Sequence, residues 1–177
     1  MKKELVEQIA KERGFGDFKW VAPKRDIVVA HWVRLHCRFG CNHYGKSGGC
    51  PPTVPSVEEC RQIMDEYDAA LLIHVPEPEE GRVGQRKRGV ELYELERAVF
   101  LAGHQKAFLL QYGACCLCKE CVANGERQNC VNKMQSRPGV DAMAVDMYTT
   151  ARNAGYPIEV VKTREEMPNR YAILLVE

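Results

Sequence analysis

Seven of the nine cysteines fall into two tight groups, Cys37/Cys41/Cys50 and Cys115/Cys118/Cys121/Cys130. The second group opens with Gly113-Ala-Cys-Cys-Leu-Cys-Lys-Glu-Cys121, a C-x2-C-x2-C run. Three thiolates at that spacing can wrap a cubane, each reaching a different iron, as in bacterial ferredoxin loops. Structural zinc sites prefer two separated C-x2-C pairs joined by a longer spacer. The run therefore points to a [4Fe–4S] cluster, with zinc as the alternative metal. Cys130 is the natural fourth ligand, and Gly113 and Gly125 give the loop freedom to fold around a cluster. Cys116 is expected to point away, because adjacent residues rarely serve one cluster from a tight loop; it remains an alternative to Cys115.

The first group reads Cys37-x3-Cys41-x8-Cys50-Pro51-Pro52 and supplies only three thiolates. A cluster here would leave one position to His43, to a distant cysteine or to a substrate, and an open position is how a metal site does chemistry. A cysteine followed by proline also ends the ferredoxin run, where it ligates the other cluster, so Cys50 can alternatively complete the second group. Spacing leaves both one shared site and two separate sites open. The same loop matches the phosphate-binding pattern G-x4-G-K-S from Gly40 to Ser47. Such a loop must run straight into a helix, and Gly48-Gly49-Cys50-Pro51-Pro52 cannot propagate one. Nucleotide binding is therefore not expected.

Bulk properties exclude several classes. A chain of 177 residues can bury a core without disulfides, and a single domain over residues 1–177 is expected. The net charge of +1 gives no footprint for nucleic acid or an anionic membrane. The longest apolar runs fall far short of a membrane span. Acidic residues near the N-terminus, an odd cysteine count and clustered thiols together point to the cytoplasm rather than to a disulfide-bonded secreted protein.

The elements that must position these loops follow from periodicity. Residues 3–13 read as an amphipathic helix, and 18–21 and 26–35 as strands around a Pro23-Lys24 turn. Ser56 and Glu59 have capping-box spacing at the start of a helix running to about Tyr67. Residues 69–75 read as a buried strand, and 76–89, with Glu77, Glu79 and Glu80, as a solvated loop. Leu92, Leu95, Val99 and Ala102 recur at helical spacing up to Gly103. Residues 106–111 read as a strand. Pro138 is placed to open a helix with Val140, Met143, Met147 and Ala151 on its apolar face. Residues 158–161 and 171–176 read as closing strands. The expected fold is α/β or α+β, a single mixed β-sheet with flanking helices and two cysteine-rich metal-binding loops. If the strands at 26–35 and 106–111 run parallel, both loops share their carboxyl-end edge.

Other residues invite roles but have simpler readings. Cys60 shares a helix face with Val57, Ile63 and Met64 and reads as a core thiol. His31 and His74 read as hydrogen-bonded structural histidines, and His104 as a charge near a helix end. Arg86, Lys87 and Arg88 form a solvated positive run that can dock an acidic redox partner protein such as a ferredoxin or flavodoxin.

Together, Val33-Arg-Leu-His-Cys37, Gly40-Cys41, Tyr44-Gly45, Cys50-Pro51-Pro52, the cysteine triplet, Cys130, Arg137-Pro138, Val145-Asp146 and Ala154-Gly155-Tyr-Pro157 resemble a family of predicted metal-binding proteins found largely in anaerobic microbes. The resemblance implies metal binding by the seven grouped cysteines and brings no established reaction with it.

Overall fold

The computed structural model describes residues 2–77, 81–163 and 165–177. Four strands, β1 (Phe18–Val21), β2 (Ala70–His74), β3 (Phe108–Leu110) and β4 (Tyr171–Leu175), form one sheet in the order β1-β2-β4-β3. Every pairing is antiparallel, with Phe18 opposite Ile73, Leu72 opposite Ile173 and Leu109 opposite Leu174. The helices are α1 (Lys3–Glu12), α2 (Pro23–Asp26), α3 (His31–Gly40), α4 (Val57–Asp65), α5 (Gly81–Leu101) and α6 (Met147–Asn153). The fold is α+β.

Alternation along the strands splits the core in two. Leu71, Ile73, Ala172 and Leu174 face α1 and α5, where Val6, Ala10, Leu92, Leu95 and Val99 meet them. Ala70, Leu72, Ile173 and Leu175 face the other way, onto Cys60 and Met64 of α4 and onto Val140, Met143, Val145 and Ala151. Burial on both faces explains why β2 and β4 read as continuous apolar runs. Ser56 caps α4 as its spacing predicts: its hydroxyl accepts from the Glu59 amide at 3.2 Å, and the Glu59 carboxylate accepts from the Ser56 amide at 2.7 Å.

Four local expectations are corrected. Residues 26–35 do not form a strand; only Val29 makes a bridge, to Val145, and the chain turns helical at His31. No helix opens at Pro138: residues 140–144 form turns, Ala144 has φ of +59°, and α6 begins after Asp146, whose carboxylate accepts from the Thr149 amide at 3.0 Å. Residues 158–161 join no ladder; Ile158 instead packs into the core and its carbonyl accepts from Arg152 of α6. The polar segment is helical from Gly81, and Arg88 is half-buried, pairing with Glu91 at 2.7 Å over the Phe15 ring. Glu79 and Glu80 lie outside the described residues. Among the described residues no helix is long and apolar enough to cross a membrane.

Candidate metal centre

The two cysteine loops converge, by a route other than parallel strands. The stretch 138–146 staples them. Gln111, at the exit of β3, donates its amide to Pro138 (2.8 Å) and accepts from Val140 (2.8 Å). At the other end, Asp146 donates to Val28 (2.7 Å) and Ala144 accepts from Ala30 (2.9 Å), just before α3. The chain leaving β3 and the chain entering α3 are thus tied to one irregular segment. Each leads directly into cysteines.

The loops then meet backbone to backbone. The Gly125 amide donates to Lys46 at 3.0 Å, and a Cβ built on Gly125, whose φ is +79°, would lie 2.5 Å from the Gly45 carbonyl oxygen. Gly48 also lies against the second loop: a Cβ there would stand 3.0 Å from the Ala123 Cβ. At Gly125 only glycine permits the approach.

Cys115, Cys118, Cys121 and Cys130 line one cavity of about 270 Å³ together with Ser47, Gly48 and Asn132. The sulfurs are supplied with donors. Asn132 Nδ2 donates to Cys118 Sγ at 3.0 Å. Burial pushes the Cys121 thiol up, but the amides of Gly48 and Ala123 and the Ser47 hydroxyl outweigh it and hold the thiol below its ordinary range. Donors aimed at sulfur favour the thiolate, which is the form that binds metal. Side chains outside the cysteines hold the loop in shape. Arg82, in the first turn of α5, donates to the Cys118 carbonyl at 2.6 Å. Arg127 donates to Lys133 O (2.9 Å), to Ser136 Oγ (2.9 Å) and to Ser136 O (3.2 Å), closing the turn that carries Cys130.

Cys37, Cys41 and Cys50 line a second cavity, of about 580 Å³. Cys37 sits on the last turn of α3, its thiol 3.7 Å from the Asp141 carbonyl oxygen. Cys41 Sγ accepts from the His43 amide at 3.5 Å. Cys50 is buried, and burial, eased by the Ser47 hydroxyl and reinforced by Cys41, Cys37 and Cys115, pushes its thiol up to about 11. Cys50 lines this cavity and not the first, whereas Cys130 lines the first. Of the two arrangements that spacing left open, the structure brings the thiols together as four and three. Among the described residues no three His, Cys, Asp or Glu side chains stand close enough to share a single metal ion.

The remaining candidates separate from these groups. Cys60 is fully buried in the core with its thiol 3.6 Å from the Pro55 carbonyl oxygen. Cys116 turns away from its neighbours, donating to Ala114 O and facing Gln85. His74 is held between Asp17 (2.8 Å) and Asn169 (3.0 Å), and His31 contacts Glu58 at 2.9 Å. His43 lines the four-thiol cavity and a neighbouring one of about 270 Å³ walled by Arg86, Arg137 and Arg170. In place of a phosphate-binding helix, the Ser47-Gly48 stretch carries donors to Cys121. Sequence reasoning missed Ser47, Gly48, Asn132 and Arg127, since nothing in spacing announces a residue that reaches a sulfur of another loop. The Gly-Lys-Ser-Gly-Gly run was a signal of close backbone approach, read there only as a phosphate motif.

The donor set fits a metal group: seven free thiols, four of them around one cavity, with N–H and O–H groups directed at sulfur. No curated protein and no solved structure matched the chain in comparison. Over residues 19–176 it matches the predicted metal-binding protein family DUF2284, and the chain belongs to that family.

Proposed function

We propose that the chain is an iron–sulfur protein in which Cys115, Cys118, Cys121 and Cys130 hold a [4Fe–4S] cluster, while Cys37, Cys41 and Cys50 form a second, three-thiolate metal site open to a small substrate. The observation that carries the reading is the cavity of about 270 Å³ lined by four thiols, with donors on two of the sulfurs. A lone tetrahedral zinc draws its sulfurs to roughly 3.8 Å apart, as bonds of about 2.3 Å require. Four thiols around one cavity, three of them at C-x2-C-x2-C spacing, suit a cubane, in which each sulfur takes its own iron. When bound, such a group supplies one-electron transfer and, at an iron without cysteine, a coordination position for substrate.

The protein's part is to hold and insulate. Asn132 donates to the Cys118 sulfur, Gly48 and Ala123 favour the Cys121 thiolate, and hydrogen bonds to sulfur tune the potential at which an electron is accepted. Cys115 of the four-thiol group comes near enough to Cys50 to add to the rise of its thiol. Arg86, exposed beside Cys115 in the arginine-walled cavity, offers a cationic rim to an acidic redox partner.

Anaerobic purification followed by iron, zinc and acid-labile sulfide analysis tests the proposal. Iron and sulfide in equal amounts, about four each per chain for one cubane or eight for two, support it. Stoichiometric zinc without sulfide, persisting after anaerobic reconstitution, overturns it in favour of a zinc-held structural module.

A further inference from the structure

The arginine-walled cavity beside Cys115 and the cavity lined by Cys37, Cys41 and Cys50 differ in their charged lining. The arginine-walled one carries Arg86, Arg137 and Arg170. Among the described residues, the cavity of about 580 Å³ is lined by no lysine or arginine; its ionisable groups are Cys37, Cys41, Cys50, Asp141, His36 and two tyrosines. Its volume falls in the range of roughly 300–1,000 Å³ usual for small-molecule sites. The walls are apolar and aromatic: Trp32 and Val33 from α3, Tyr44 from the first loop, Val145, and Met147 and Tyr148 from α6. The Trp32 ring makes an edge contact with His36, centroids 5.1 Å apart, and lines the cavity beside His36 and Asp141.

A phosphate or carboxylate entering here would give up its hydration and find, among the described residues, no lysine or arginine on the lining to replace it, with the Asp141 carboxyl on the wall. An aromatic or aliphatic body, by contrast, replaces water against Trp32, Tyr148 and Val145, and a cationic or neutral polar end meets Asp141 and aromatic faces. We infer that this cavity takes a small, mostly apolar molecule without negative charge and holds it against the three-thiolate site. The inference rests on the proposed function for the identity of the metal, and on the cavity alone for the class of ligand.

The test uses the full chain isolated without oxygen, with iron and sulfide measured on the same sample. Calorimetric titration with 2-naphthylmethanol, 2-naphthylmethylamine and 2-naphthoate compares one apolar body carrying three charges. Trp32→Ala separates binding in this cavity from binding elsewhere, and Trp32 is exposed enough for the variant to fold. The expected result is Trp32-dependent binding of the alcohol and the amine, at least about tenfold tighter than any Trp32-dependent binding of the naphthoate. Asp141→Asn is expected to reduce the preference for the amine over the alcohol. Trp32-dependent affinity for naphthoate within about threefold of the amine overturns the inference, as does the lack of Trp32-dependent binding of the alcohol and the amine. Discrimination in a sample without iron and sulfide leaves the ligand class standing and counts against the cluster; a loaded sample without discrimination does the reverse.

Discussion

Ser47, in the first cysteine loop, sits within hydrogen-bond reach of Cys121, in the second, and its hydroxyl also serves Cys50. The residue is buried and lies where the two loops touch. In the metal-free protein, Ser47→Ala is expected to raise the Cys121 thiol toward its ordinary value and to slow its alkylation at pH 7 by about threefold. Cys50 should stay slow in both forms, since its thiol is pushed up to about 11. Mass-spectrometric rates with iodoacetamide check this; an unchanged Cys121 rate would show that the hydroxyl is no donor to it.

Two cysteines of different burial should respond in opposite ways to substitution. Cys118→Ser is expected to remove most of the iron assigned to the four-thiol cavity while leaving the fold intact, because Cys118 lines that cavity and not the core. Cys60→Ala, on the buried face of α4, should keep its iron and instead cost about 1–2 kcal/mol in urea unfolding. Iron analysis and denaturation of both variants separate the roles.

Arg137 anchors the C-terminal flank of the second cysteine loop. Its side chain forms a two-pronged pair with Glu96, 2.6 Å through Nε and 2.5 Å through the outer nitrogen, and lies over the Tyr93 and Phe108 rings. Only 14% of the arginine side chain and 8% of the glutamate are exposed, and Glu96 also accepts from the Leu109 amide at 2.8 Å. Removing one partner of such a buried pair leaves an uncompensated charge, so Arg137→Ala should cost about 3–5 kcal/mol. Chemical denaturation reads it directly, and Arg137→Lys should recover only part, lacking the paired geometry.

Asp17 predicts an acid dependence away from the cysteines. Burial pushes its carboxyl up, but hydrogen bonds to His74 and Tyr156 and the charges of His74 and Lys19 outweigh that and hold it below its ordinary value of 3.8. A carboxyl depressed in the folded state stabilises above its unfolded value and loses that contribution as pH falls through the folded one. Asp17→Asn should therefore lower stability at pH 7, by less than about 1 kcal/mol because the carboxylate is largely exposed. The difference from the parent should vanish near pH 2, as thermal melts across pH would show.

What the sequence disclosed followed from local rules. The capping box at Ser56, the buried runs of β2 and β4 and the apolar spacing of α5 are each decided by a few neighbouring residues, and each appeared where expected. The segment from Ile27 misled because its β-branched residues favour extension. That preference holds at 27–30 and gives way at His31. Trp32, Leu35, His36 and Phe39 already carried helical spacing there, but Phe39 is 79% exposed, so the stripe lacks the burial that periodicity normally reports. The grouping of seven cysteines into four and three was undecidable from spacing. It depends on the 138–146 staple, which joins residues more than a hundred positions apart and follows no helical or strand period.

Strand β4 lies between β2 and β3 and contributes side chains to both cores. In order of synthesis it comes after all seven grouped thiols. A ribosome therefore delivers every sulfur before the strand that completes the sheet. The triplet Cys115, Cys118 and Cys121 is local enough to gather metal on the nascent chain, whereas the donors that Ser47 and Gly48 bring to Cys121 depend on long-range folding. On the proposed reading, metal capture and metal tuning are thus separable in time, the first needing a few residues of loop and the second the meeting of two loops distant in sequence.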